Sequence, residues 1–299
     1  ARKERKARSS RRRTLAPASE SREPRTGHCA RTAAFDRVRP PVQTGLVPGV
    51  GSGDWTPVSL DPGYEYESMV VVASVVYPVG NPPLTTRIRN AAGNSFEVQV
   101  QRADKVTDAI NGIDVYYTVV EEGVYTVAEH GVNMEAVKFN STWTDRANGF
   151  VGEYLSLENA YDSPVVVGQV MTIEDAAFSV FWARGETQFD PPSAGDVWVG
   201  KHIGEDAEFE RADEVLGVIV IESGSGSIEG QRYQAGIGAD SLVGPDTGPP
   251  AFYPLSGFAS VTSAVVSAAG MDGGDGSWSV LTEVTADGLR LVAEEDMLK

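Results

Sequence analysis

"VYYTVVEEG" at 115–123 and "VLGVIVIESG" at 215–224 decide how this chain folds. Each is a run of β-branched and aromatic residues ending in an acid and a glycine, as a buried strand does where it closes into a turn. The same strand is therefore written twice, 100 residues apart. Working outward, a second motif recurs as "MVVVAS" (69–74), "PVVVGQV" (164–170) and "SAVVSAAG" (263–270). Repetition at a fixed period points to repeated structural units, and about a hundred residues suits one small β-sandwich.

The rest of the sequence keeps this texture. Short Val/Ile/Tyr/Phe-rich runs alternate with Gly, Pro, Asn and Asp, and few windows hold helical periodicity for three turns. "TTRIRNAAGNSFEVQVQ" and "WSVLTEVTADGLRLVAEE" read as hairpins, with Gly93-Asn94 and Asp287-Gly288 at their corners. "IEDAAFSVFWARGE" reads as a compressed form of the same hairpin. The expected fold is all-β, with tandem antiparallel sandwiches at 41–127, 128–226 and 227–299 behind a basic tail at 1–40. The third unit lacks the closing strand of the other two and reads as truncated, so that either more chain follows or another subunit supplies the edge.

Charge divides the chain the same way. Residues 1–40 carry 13 Lys and Arg against 4 Asp and Glu, leaving 12 against 38 for the remaining sequence. The acidic body repels nucleic acid and anionic membranes, since phosphate contacts need clustered Lys and Arg. The tail is too poor in apolar residues to build a core and reads as disordered, with nuclear or organelle targeting as functional alternatives. Hydrophobic residues make up 41% of the chain, enough for real cores, and no apolar run is long enough to span a bilayer. Cys29 is the single cysteine, so an intrachain disulfide is excluded.

The first unit resembles an H-type lectin domain through "VQTG" (42–45), "DWTPVSL" (54–60), "VVVASV" (70–75), "RIRNAAGNSFEVQV" (87–100) and "VYYTVVEEG". Later segments resemble tandem β-repeats of large secreted or surface proteins. The resemblance implies a six-stranded antiparallel sandwich, often trimeric, that binds N-acetylgalactosamine or related sugars. It places a sugar-contacting arginine at Arg87 and an acidic contact at Glu65, while the family's Trp-His pair is replaced by Ala103 and Asp104.

From the residues themselves, a sugar site needs an aromatic face plus Arg, amide or carboxylate groups for hydroxyls. Arg87, Arg89 and Asn90 supply the polar groups, and Trp55, Trp143, Trp182, Trp198 and Trp278 are the aromatic candidates. Alternation puts Arg87 and Arg89 on one face of their strand. The acid-rich loops "GEDAEFERADE" and "GMDGGDG" offer Asp206, Asp213, Asp272 and Asp275 as oxygen ligands for Ca²⁺, without the spacing of an EF-hand. Asn140 opens an N-glycosylation sequon. Nucleophile elbows, zinc-binding helices and P-loops are absent from the sequence. The expected protein is non-catalytic, extracellular or at the cell surface, and binds glycans or glycoproteins as a homo-oligomer. The alternative is a structural protein that polymerises through edge strands.

Overall fold

A computed structural model describes residues 41–77, 80–296 and 298. The expectations for the tail, including Cys29, lie outside these residues.

The β-reading holds: the described chain is strand after strand in mostly antiparallel sheets, with one short helix. The first six strands are β1 (Val42–Val50), β2 (Thr56–Ser59), β3 (Met69–Val76), β4 (Leu84–Ala92), β5 (Ser95–Arg102) and β6 (Ile113–Glu121). They sort into two facing layers, β1-β6-β3 and β2-β5-β4. Val98, Val100, Phe96, Ile88, Val115 and Val119 are buried between them.

The second group is β7 (Gly123–Tyr125), α1 (Val127–His130), β8 (Met134–Ser141), β9 (Thr144–Asp145), β10 (Glu153–Tyr154), β11 (Pro164–Val170), β12 (Val180–Arg184), β13 (Trp198–His202) and β14 (Glu214–Glu222). Thr126 caps the helix and Gly131 ends it at φ 75°, a left-handed conformation suited to glycine. Layer order repeats here: β14 lies between β8 and β11 as β6 lies between β1 and β3, while β13 lies between β10 and β12 as β5 lies between β2 and β4. The twice-written strand is therefore the centre of one layer in each sandwich. Phe181, Val199, Leu216, Val218 and Val220 form the second core.

The two sandwiches pack back to back across β3, every residue of which is buried except half-buried Val76. A strand buried on both faces reads as a continuous apolar run rather than an alternating one, which is why "MVVVASVV" lacks polar positions apart from Ser74. Close approach depends on Gly217, where a Cβ would collide with the Met171 sulfur and crowd Val70.

Residues after 223 depart from the expected third sandwich. They form β15 (Gly224–Ile228), β16 (Gln231–Ala235), β17 (Ala251–Pro254), β18 (Ala268–Ala269), β19 (Trp278–Val284) and β20 (Gly288–Glu294). The β19–β20 hairpin forms as the Asp287-Gly288 corner predicts, yet it extends the first layer into a six-stranded sheet, β1-β6-β3-β19-β20-β17. "SAVVSAAG" forms only the two-residue β18, which runs parallel to β12. "IEDAAFSVFWARGE" likewise supplies β12 and a preceding loop instead of a hairpin. These strands find partners within the chain, so the sheet runs through the boundary expected at 226.

Candidate functional site

Two outer layers face away from the stacked sheets, and the first carries the sequence-predicted residues. Arg87 and Arg89 do share a face, but their surroundings differ. The Arg87 side chain is only 1% exposed, because the 174–177 loop of the second sandwich lies over it. Its guanidinium donates to Gln101 Oε1 (2.5 Å), the Ala177 carbonyl (2.8 Å) and the Asp175 carbonyl (2.7 Å). Burial pulls its pKa down, against the charges of Glu214 and Asp175. Arg87 is a joint between the sandwiches, closed to a ligand in this arrangement.

The other end of that face is open. Arg89 stacks its guanidinium 4.3 Å from the centre of the partly exposed Trp55 ring and donates through Nε to Glu97 Oε2 at 2.5 Å. Asn90 Nδ2 donates to the same oxygen at 2.7 Å. Neighbours on a regular strand point to opposite faces. A bulge between Arg89 and Ala92 breaks that rule, with Asn90 in the left-handed region at φ 53°, which asparagine tolerates better than most residues. The Arg89 guanidinium holds the half-buried Glu97 carboxyl below its usual range, so it stays an acceptor. Glu65 borders the same hairpin tip: the Tyr66 amide donates to the Gly93 carbonyl, and a Cβ on Gly93 would lie 3.9 Å from Glu65 Oε1.

The result is an indole, a guanidinium, an amide and carboxylates on one solvent-facing patch. Such a patch offers an apolar ring for C–H groups and both donors and acceptors for hydroxyls. Of the predicted polar residues, Arg89 and Asn90 converge on Glu97, Glu65 lies beside the hairpin tip at Gly93, and Arg87 is buried in the seam. Glu97 was missed, although the Arg89–Glu97 pairing follows from the hairpin register once the corner is placed.

The calcium candidates do not converge. Asp206 is buried between Lys105 Nζ (2.6 Å) and Arg211 Nη2 (2.7 Å), so two cations already occupy its oxygens and hold its acidity, despite the opposing effect of burial. Asp213 accepts from Asn140 Nδ2 at 3.4 Å, while Asp272 and Asp275 sit in the separate 271–276 loop. Among the described residues, no three His, Cys, Asp or Glu side chains group to hold a metal ion. Asn140 itself is exposed on β8.

One buried ionisable pair was not anticipated. Asp145 Oδ2 lies 3.4 Å from His202 Nε2, both side chains at most 1% exposed. Burial raises Asp145 to about 6 and lowers His202 to about 4, leaving the imidazole neutral. His202 Nδ1 accepts from the Gly204 amide, so Nε2 carries the hydrogen. With Gly276 packed against its ring, the pair is sealed from solvent.

No family model, curated protein or solved structure matches the chain.

Proposed function

We propose that this is a non-catalytic, extracellular carbohydrate-binding protein whose first glycan site is the Trp55–Arg89–Asn90–Glu97 patch. The carrying observation is the bulged hairpin tip, which brings two donors of different geometry onto one carboxylate oxygen beside a stacked indole. Arg89 shields part of the ring, so the sugar lies across the remaining indole edge, takes a hydrogen bond from Asn90 and donates one from a hydroxyl to Glu97. An exposed sequon at Asn140 fits a secreted protein.

The polymer reading is less favoured by the sheet edges. β1 is interrupted by a register break between Val47 and Val50 that includes Pro48, and β17 is four residues long and ends in Pro254. Proline, bulges and short edges are the features that discourage strand-to-strand assembly.

The test is a glycan array probed with the intact chain and with Trp55→Ala. Specific binding that falls at least tenfold in the variant is expected. Binding that is indifferent to Trp55, or absent from folded protein, overturns the reading.

A further inference from the structure

The duplication makes the second outer layer the counterpart of the first, and its two ends correspond to the two ends of that layer. In the second sandwich, one end is again covered: Trp182 is fully buried beneath Ala268 and Met271. Register sets Trp182 opposite Gly200 and Arg184 opposite Trp198, with Tyr154 completing the row on the far side of Trp198. In the first sandwich Arg87 is covered and Arg89, two residues further, is open. In the second, Trp182 is covered and Arg184, two residues further, lies at the open end.

The open ends share a motif. Arg184 stacks 4.8 Å from the centre of the Trp198 ring, as Arg89 does over Trp55. On the other side Tyr154 meets Trp198 edge to face at 5.5 Å, and Tyr154 itself is 53% exposed. Arg184 donates Nη1 to the Gly185 and Glu186 carbonyls, while its Nε has no partner among the described residues. Beside the row lies a cavity of about 280 Å³ lined by Tyr154, Ser156, Leu157, Asn159, Tyr161 and Val197 among others, none of them charged.

We propose that this cavity, which Tyr154 alone of the row lines, forms a second glycan site that takes a single uncharged sugar residue. The ligand class follows from the lining. A charged group entering a cavity without a countercharge loses solvation unrepaid, and the acidic body repels anions further. An apolar ligand would leave the Ser156 hydroxyl in the lining unused. A neutral sugar ring presents C–H groups to the exposed Tyr154 side chain and hydroxyls to Ser156 in the cavity lining. The cavity volume lies just below the lower end of ordinary small-molecule pockets, about 300 Å³, and so suits one ring. The class assignment rests on the sugar reading of the first patch, whereas the site itself stands on its own residues.

The experiment uses the intact chain on a printed array of neutral, sialylated and sulfated oligosaccharides. Four proteins are compared with the parent: Trp55→Ala, Tyr154→Ala, Ser156→Trp (which fills the cavity mouth without removing a core side chain) and Trp55→Ala/Tyr154→Ala. Melting curves establish that each is folded. Each single variant is expected to keep part of the neutral-glycan signal, and the double variant to lose at least tenfold more than either, because two linked sites reinforce each other. Unchanged binding by both Tyr154→Ala and Ser156→Trp overturns the second site while leaving the first intact. Loss in these two variants with none in Trp55→Ala supports the second site and overturns the first. Binding confined to sialylated or sulfated probes overturns the ligand class, and no binding by folded parent overturns both sites.

Discussion

Arg87 Nη2 donates to the Asp175 carbonyl at 2.7 Å, so an arginine of the first hairpin is satisfied by a loop of the second sandwich. Truncating it strands two carbonyls and Gln101 in a buried seam. Arg87→Ala is expected to cost about 3 kcal/mol, the scale for removing a buried charged donor. Urea denaturation measures this, and a midpoint within error of the parent would show that the seam is not held by Arg87.

Arg89 presents the contrast. Its ion pair with Glu97 is partly solvated, at 36% and 28% side-chain exposure, and such pairs contribute about 0–1 kcal/mol. Arg89→Ala should leave the urea midpoint nearly unchanged and reduce glycan binding several-fold. A large stability loss with full binding would reverse the assignments of Arg87 and Arg89.

Gly276 adopts φ +85°, and any Cβ there would overlap the His202 ring, which is walled in and has nowhere to move. Both strain and overlap act against Gly276→Ala, which is expected to destabilise by about 2–4 kcal/mol. Differential scanning calorimetry reads the change; a melting temperature like that of the parent would contradict the close packing.

Glu294 is 4% exposed and raised to about 7, mainly by burial, while its hydrogen bond with Tyr77 pulls the other way. A carboxyl raised in the fold prefers its proton there, so its stabilisation is complete below the unfolded value near 4.5 and is lost as pH rises through about 7. Asp145 acts with the same sign between 3.8 and about 6, whereas neutral His202 costs stability as pH falls from 6.5 to about 4. The last two largely offset each other, which leaves Glu294 to govern the interval from about 6 to 7. Stability should decline there by at most about 1.4 kcal/mol per pH unit, and Glu294→Gln should flatten the slope. An unaltered slope in that variant would assign the titration to another group.

Calcium and its chelation should change neither melting temperature nor glycan binding, because Lys105 and Arg211 already neutralise Asp206. A calcium-induced rise in melting temperature would mean that these two cations give way to the ion.

How far the sequence reaches can be seen from individual positions. The central strands β6 and β14 and the two hairpin corners were legible because short-range patterning specifies them. Arg87 was misjudged, since alternation tells which face a side chain takes but not which distant loop covers that face. Asn90 was found, but its meeting with Glu97 depends on a bulge that "NAAGN" hints at only through its turn residues. The Tyr154–Trp198–Arg184 row stayed hidden because its three residues come from separate short strands whose register no local pattern fixes. "SAVVSAAG" resembles a strand in composition, yet β3 already has β19 as its neighbour, and tertiary pairing overrides propensity.

The pairing of β19 with β3 also bears on how the protein is made. Trp278 Nε1 reaches the Leu84 carbonyl across 194 positions of sequence, and the Tyr77 amide bonds to Leu281. On a ribosome, β3 can pair with β6 soon after both emerge, whereas its other edge stays open until β19 is made, after the second sandwich has been translated. Contacts this distant in sequence slow folding, and an open strand invites aggregation in the interval. Translation speed and chaperone capture during that interval, rather than the stability of the finished molecule, then set how much of it reaches its folded state.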